Sequence, residues 1–220
     1  MNPITYLMDS IMIPFLNFSY HNIFPNFGVG IIILTIIIKL LLYPLTKQQF
    51  ESMKKMQSMM PEMKKLKEKY KNDPQALQLE TMKMYKENKI NPLGGCLPML
   101  IQLPFLFALF YTMNSDTFAN LISQTNVFPG FTTFWIPDLS QRDNLYILPF
   151  VIGLATYLGQ KMSTIDPSQQ KIMMFMPVIM VAVSFQMPAG VLLYWAVSQI
   201  ISSAQQALAF SNSENNGGNE

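Results

Sequence analysis

Lys39 is the one charged residue in the run Gly28-Val29-Gly30-Ile31-Ile32-Ile33-Leu34-Thr35-Ile36-Ile37-Ile38-Lys39-Leu40-Leu41-Leu42-Tyr43-Pro44-Leu45. The run reads as a membrane-spanning helix, and a cation in hydrocarbon costs several kcal/mol, roughly 2.5–3.5 on insertion scales. Such a group is retained where it faces water, a partner or a substrate. The sequence therefore predicts a wet, positive place inside a membrane, whose chemistry is attraction of anions rather than bond making. Thr35, Lys39 and Tyr43 are spaced i, i+4, i+8 and share one helix face. Further along, Tyr194, Ser198, Ser202 and Gln205 form a second polar stripe, Gln102 stands alone in an apolar run, and Ser184 and Gln186 follow another. Together these residues could line a hydrophilic groove. The competing reading is that they hydrogen-bond between helices. Lys39 also has a plain alternative: it lies about 9 Å from the end of its run at helical rise, and its stem could snorkel most of that way. The groove is preferred because Thr35 and Tyr43 share its face.

Other chemistries find no support. Cys96 is the only cysteine and His21 the only histidine, too few for a metal site or an internal disulfide. There is no Gly-rich phosphate loop, so neither a cofactor nor an enzyme activity is expected. The eighteen methionines are unusual. Met53, Met56, Met59, Met60 and Met63 form one cluster, and Met173, Met174, Met176 and Met180 another. Methionine is flexible and overused on promiscuous surfaces, although any single one is more simply packing. The second cluster, with Ile36, offers a greasy surface for apolar clients of varied sequence.

The elements that must position these residues follow from composition. Of 220 residues, half are hydrophobic and 13% charged, where a soluble domain has about 25% charged. Residues 47–89 hold eleven of the fourteen lysines and six acids, a net +5; the rest of the chain is then −3 against the total of +2. The expected class is an all-α membrane protein. Residues 1–27 read as an interfacial amphipathic helix and loop, with Ile4, Leu7, Met8, Ile11, Met12 and Phe15 on one face. A first span covers 28–45. Residues 46–92 form a lysine-rich helical hairpin, with Pro61 kinking its first arm and Asp73-Pro74 starting the second. Four further spans fill 93–210, at 93–113, about 145–160, about 172–187 and about 190–209. The tail 211–220 is polar and expected to be disordered. Sixteen-residue spans cover only about 24 Å, less than a bilayer core of about 30 Å, so the helices extend further or the bilayer thins. The lysines place the hairpin in the cytoplasm. Span counting then puts the N-terminus outside and the C-terminus inside, and aromatic residues Phe128, Phe131, Phe134 and Trp135 suit the outer interface. The N-terminus lacks the charged start of a cleavable leader, and no lipidation motif is seen.

Several short motifs carry a resemblance: Tyr43-Pro44-Leu45-Thr46-Lys47; Asn91-Pro92-Leu93-Gly94-Gly95-Cys96 with Pro98, Gln102 and Pro104; Asp166-Pro167 through Gln169-Gln170-Lys171; Phe175-Met176-Pro177; and Pro188-Ala189-Gly190 before Leu193-Tyr194-Trp195. In this order, over about 20–210, the chain resembles the YidC family of membrane protein insertases in its short form. The resemblance implies a multi-pass bacterial inner (plasma) membrane insertase. Its groove, open to cytoplasm and lipid, takes in short hydrophilic tails of nascent membrane proteins, alone or with a Sec-type translocon. Family members carry a basic residue, usually Arg, in the first span; Lys39 stands there and keeps the charge without the bidentate fork. The lysine-rich hairpin suits anionic lipids or ribosomal RNA, whereas the acidic tail argues against a ribosome contact there. Neither DNA nor a small-molecule substrate is expected. The rival reading is a small-solute or ion transporter using Lys39 as its substrate site, though paired repeats and unwound midplane helices are not evident.

Overall fold

A computed structural model describes residues 3–88, 97–123, 130–162 and 167–217. The motif at 91–96, Phe128 and Asp166 lie outside them. Among the described residues all regular structure is helical. The chain begins with α1 (Pro3–Leu7), a π-helical turn (Met8–Met12) and α2 (Ile13–Asn22). Pro14 in the first turn of α2 explains the turn: proline has no N–H for the ladder and clashes with the carbonyl four residues back, and a wider turn relieves both. Met12, Leu16 and Ser19 are buried against the bundle, and Ile4, Leu7 and Phe15 pack beside them. Ile11, expected on that inward face, is exposed together with Tyr6 and Phe18, because the π turn shifts the helical register.

Asn26 caps α3 (Phe27–Leu41): its side-chain oxygen accepts from Val29 N at 3.0 Å, while its amide donates to Phe131 O at 2.9 Å. Phe27, Ile31, Leu34 and Ile38 recur at three- and four-residue spacing and are buried. The opposite face, with Ile36, Ile37, Leu40 and Leu41, is apolar and exposed. The run read as one span to Leu45 stops at Leu42. There α4 (Tyr43–Ser58) sets off at 61° to α3, because Pro44 in its first turn cannot join the preceding ladder.

Met59 separates α4 from α5 (Met60–Lys69), and Pro61 lies in the first turn of α5, so the expected kink is a break two residues earlier. Asp73 accepts from Ala76 N at 3.0 Å and starts α6 (Pro74–Glu87). Helices α5 and α6 pack through a small cluster of Met59, Met63 and Met84, with Met56, Leu66 and Tyr85 around it. Leu79 and Met82 face outward.

The remaining helices are α7 (Leu97–Met113), α8 (Asp116–Ile122), α9 (Ile147–Met162), α10 (Pro167–Ser184) and α11 (Ala189–Gly217). The sequence analysis places no element between the spans at 93–113 and about 145–160, but Ser115 caps α8 there by accepting from Phe118 N at 3.1 Å. Helix α11 also runs through Ser211, into the tail expected to be disordered; after Gly190 no glycine or proline interrupts it before Gly217. It packs against α3, α4, α7 and α9, and α9 packs against α10. One core joins Leu16, Ile31, Leu109, Phe118, Ile152 and Leu192 with the loop residues Ile136 and Leu139. The tight turn at Pro188-Ala189-Gly190 is fixed by that loop: Ala189 N donates to Gln141 O at 2.6 Å and Gly190 N to Leu139 O at 2.9 Å. A Cβ on Gly190 would lie 2.6 Å from Met113 Sδ, so a larger residue there must displace the Met113 side chain.

By length and composition no single described helix is long and apolar enough to cross a membrane; the bent pair α3 and α4 passes together. The polar residues of α11 and the break at Leu42 dilute and divide the apolar runs that the sequence presents as spans.

Candidate functional site

Lys39 stands one turn beyond buried Thr35 on α3. Its ammonium donates to the Ser202 hydroxyl of α11 at 2.8 Å. A hydroxyl satisfies one of three N–H groups and leaves the charge unneutralised. Thr35 has its hydroxyl bonded to Ile31 O at 2.6 Å, within its own helix. Tyr43 lies past the break at Leu42 and is 50% exposed, so the shared face read from i, i+4, i+8 spacing holds for Thr35 and Lys39 but not for Tyr43.

One turn further along α11, the Ser198 hydroxyl donates to Gln102 Oε1 of α7 at 3.1 Å. Another turn on, Tyr194 is 1% exposed. Its hydroxyl lies beside the Gln102 amide without reaching hydrogen-bonding geometry. The structure thus brings Lys39, Ser202, Ser198, Gln102 and Tyr194 into one seam where α11 meets α3 and α7. Ser184 and Gln186 are elsewhere: the Ser184 hydroxyl donates to Met180 O at 2.6 Å, and Gln186 is exposed in the turn after α10. Ile36 is exposed on α3, and Met176 and Met180 are half-buried on α10 beside exposed Phe175, Val178 and Ile179.

Gln49, near the start of α4, is 4% exposed and was not singled out by sequence. It lies in the lysine-rich segment, where polar residues read as solvated. Only the packing of α4 on α7 and α11 reveals its burial. No group of residues able to hold a metal is found among the described residues. The arrangement provides one cation and several neutral hydrogen-bonding groups within a surround of aliphatic and aromatic side chains. It can bind an anion and polar neighbours.

Comparisons with known proteins agree with this architecture. A protein of Pseudoalteromonas atlantica named membrane protein insertase YidC is 43% identical over 96% of this chain, which covers 38% of that relative. One of the same name from Fusobacterium nucleatum is 45% identical over 82% of this chain and 84% of its own length. A crystal structure described as active YidC insertase with the first transmembrane domain resolved matches with a TM-score of 0.72 at 28% identity, over 90% of this chain and 45% of that one. The chain thus spans well under half of several of the relatives it matches and most of at least one. Residues 19–216 match the family described as 60Kd inner membrane protein, and with these relatives the chain belongs to that bacterial inner-membrane family.

Proposed function

We propose that this chain is a membrane protein insertase. It takes short hydrophilic tails of client membrane proteins into a positively charged groove beside α11 and releases their apolar segments into lipid. The observation that carries the reading is the Lys39 ammonium, set in an aliphatic helix and answered by the neutral Ser202 hydroxyl. A client carboxylate would supply the charge that the hydroxyl lacks, and Coulomb attraction strengthens as water is excluded. Moving a polar tail through hydrocarbon is costly because its backbone groups lose water. A groove reaching partway across shortens that path. The client's apolar segment passes along Ile36 of α3 and the Met176–Met180 side of α10 into lipid.

In this reading α3, α7, α9, α10 and α11 are the five spans, and α4 to α6 form a cytoplasmic hairpin. The eleven lysines of 47–89 place that hairpin inside by charge, with the N-terminus outside and the C-terminus inside. Lysines such as Lys64, Lys65 and Lys67 meet anionic lipid heads, each worth about 1 kcal/mol near the surface, or ribosomal RNA. The insertase then works alone or beside a Sec-type translocon. Client hydrophobicity drives release, assisted by the membrane potential.

The test is insertion of matched acidic-tail and neutral-tail clients in proteoliposomes. Lys39→Leu is expected to leave the fold intact and to reduce insertion of the acidic-tail client. Lys39→Arg retains function, and Lys39→Glu is worst because it repels the acid. Equal losses for both clients, or none, would return Lys39 to a snorkelling role.

A further inference from the structure

We propose that Met59, Met63 and Met84 are a peroxide modification site that latches α5 to α6, so that oxygen transfer to their sulfurs opens the helix pair. The inference concerns the lysine-rich helices alone and stands apart from the insertase reading. The main core of the bundle is built from side chains of many kinds, among them Leu16, Phe27, Ile31 and Leu109. The second core is different. Its buried residues are three methionines, at 8, 5 and 8% exposure, with Met56, Leu66 and Tyr85 partly covered around them. A hydrogen bond between the helices also ends on sulfur: the Thr81 hydroxyl of α6 donates to Met63 Sδ of α5 at 3.8 Å. A thioether packs as an apolar group, but it accepts oxygen to become a polar sulfoxide. The contact between α5 and α6 is therefore made of the one core side chain whose polarity a mild oxidant can change.

Access is built into the pair. Met84 and Leu66 line a cavity of about 320 Å³ between the two helices, together with the charged Glu62, Lys65, Glu80 and Lys83. Charged side chains keep such a space wet, and hydrogen peroxide, small and polar, enters with the water. Met84 is reached from the cavity; Met59 and Met63 are reached when the pair opens, which its low apolar contact density favours. In the reaction a sulfur lone pair attacks one peroxide oxygen. The S–O bond forms as the O–O bond breaks, and the departing hydroxide takes the proton of the transferred oxygen and leaves as water. Sulfur loses two electrons and peroxide is reduced by two. The sulfoxide oxygen is a strong acceptor, and burying it unpaired is unfavourable. Thr81 has a single O–H to donate, fewer than three sulfoxides require. The oxidised helices therefore stay apart. Two kinds of methionine elsewhere set the scale. Met82 is 64% exposed on the outer face of α6, and Met12 and Met113 are 1 and 3% exposed inside the main core.

The test treats the full chain in lipid nanodiscs with hydrogen peroxide. Peptide mass spectrometry locates each added oxygen, and amide hydrogen exchange follows the helices. Met82 is expected to be oxidised first, Met84, Met63 and Met59 next, and Met12 and Met113 last. Exchange across α5 and α6 is expected to rise several-fold as the three latch residues are oxidised, and to stay unchanged across α9 and α11. Met82→Leu should oxidise and open like the wild type. The triple variant Met59→Leu, Met63→Leu, Met84→Leu conserves volume closely and should keep its untreated exchange rate in the same peroxide. Should that variant exchange fast before treatment, the wild type and Met82→Leu decide the matter. Oxidation of the latch methionines without faster exchange would overturn the proposal. So would their oxidation no sooner than Met12 and Met113, or an opening that follows Met82 instead.

Discussion

Asp143 holds the end of the bundle opposite the lysine-rich helices. Its carboxylate accepts from Trp135 Nε1 at 2.7 Å, Leu148 N at 2.7 Å and Leu145 N at 3.1 Å. It ties the loop at 130–136 to the start of α9 and is 2% exposed. Removing a buried acceptor strands its donors, at about 1–3 kcal/mol for each group left unsatisfied. Asp143→Ala is therefore expected to cost about 2–4 kcal/mol of stability, read as a fall in thermal midpoint, and to shift Trp135 emission toward longer wavelength. An unchanged midpoint would show that this hydrogen-bonded group is dispensable. At this scale legibility depended on contrast. Lys39 is visible because nothing else in its run is charged. Asp143 stands near Asp138, Gln141 and Arg142 in a stretch where an acid reads as solvated, so its burial is set by Trp135, which no local spacing announces. Tyr43 left that face for a related reason: periodicity assumes an unbroken helix, and α3 ends at Leu41, two residues before it.

The elements differ in how firmly they are held. Helices α3, α7, α9 and α11 share one extensive core, whereas α5 and α6 rest on the three buried methionines 59, 63 and 84. Low apolar contact density favours local opening. Amide hydrogen exchange is therefore expected to be faster across α5 and α6 than across α9 and α11, with the turn at 70–73 faster still. Equal protection would mean that the pair is anchored by more than its methionines. Elements that carry their own start signals were legible. Asp73-Pro74 is one, and the Pro188-Ala189-Gly190 turn is another. The break at Leu42 and the π turn before Pro14 were not, because proline marks a disturbance without stating whether the chain bends, breaks or widens its ladder. Helix α8 went unread because it is only seven residues long and its Ser115 cap lies in a polar stretch.

For the whole molecule, length is the decisive quantity. Helix α3 has 15 residues and α9 has 16, about 22 and 24 Å at helical rise, against a hydrocarbon core of about 30 Å. Mismatch is relieved by thinning the bilayer or tilting the helices, at a fraction of a kcal/mol per Å. Insertion in proteoliposomes is expected to decline steadily as lipid acyl chains lengthen, with the acidic-to-neutral client ratio unchanged. A rate indifferent to chain length would mean that the helices do not set the local thickness. The all-helical class was legible from apolar runs and the lysine block. Which helix forms the hub was not, because α11 is the most polar of the later apolar runs and reads least like a centre. Its position in the chain also sets a schedule. Ser202 follows its partner Lys39 by 163 residues, and translation at about 5–20 residues per second separates their synthesis by roughly 8–33 s. For that interval the newborn α3 carries a cation whose internal acceptor has not yet been made, so the ammonium must stay near headgroups or water. Each new copy of the protein thus passes through a period in which it presents the same problem, a polar group at the edge of lipid, that the proposed function would solve for its clients.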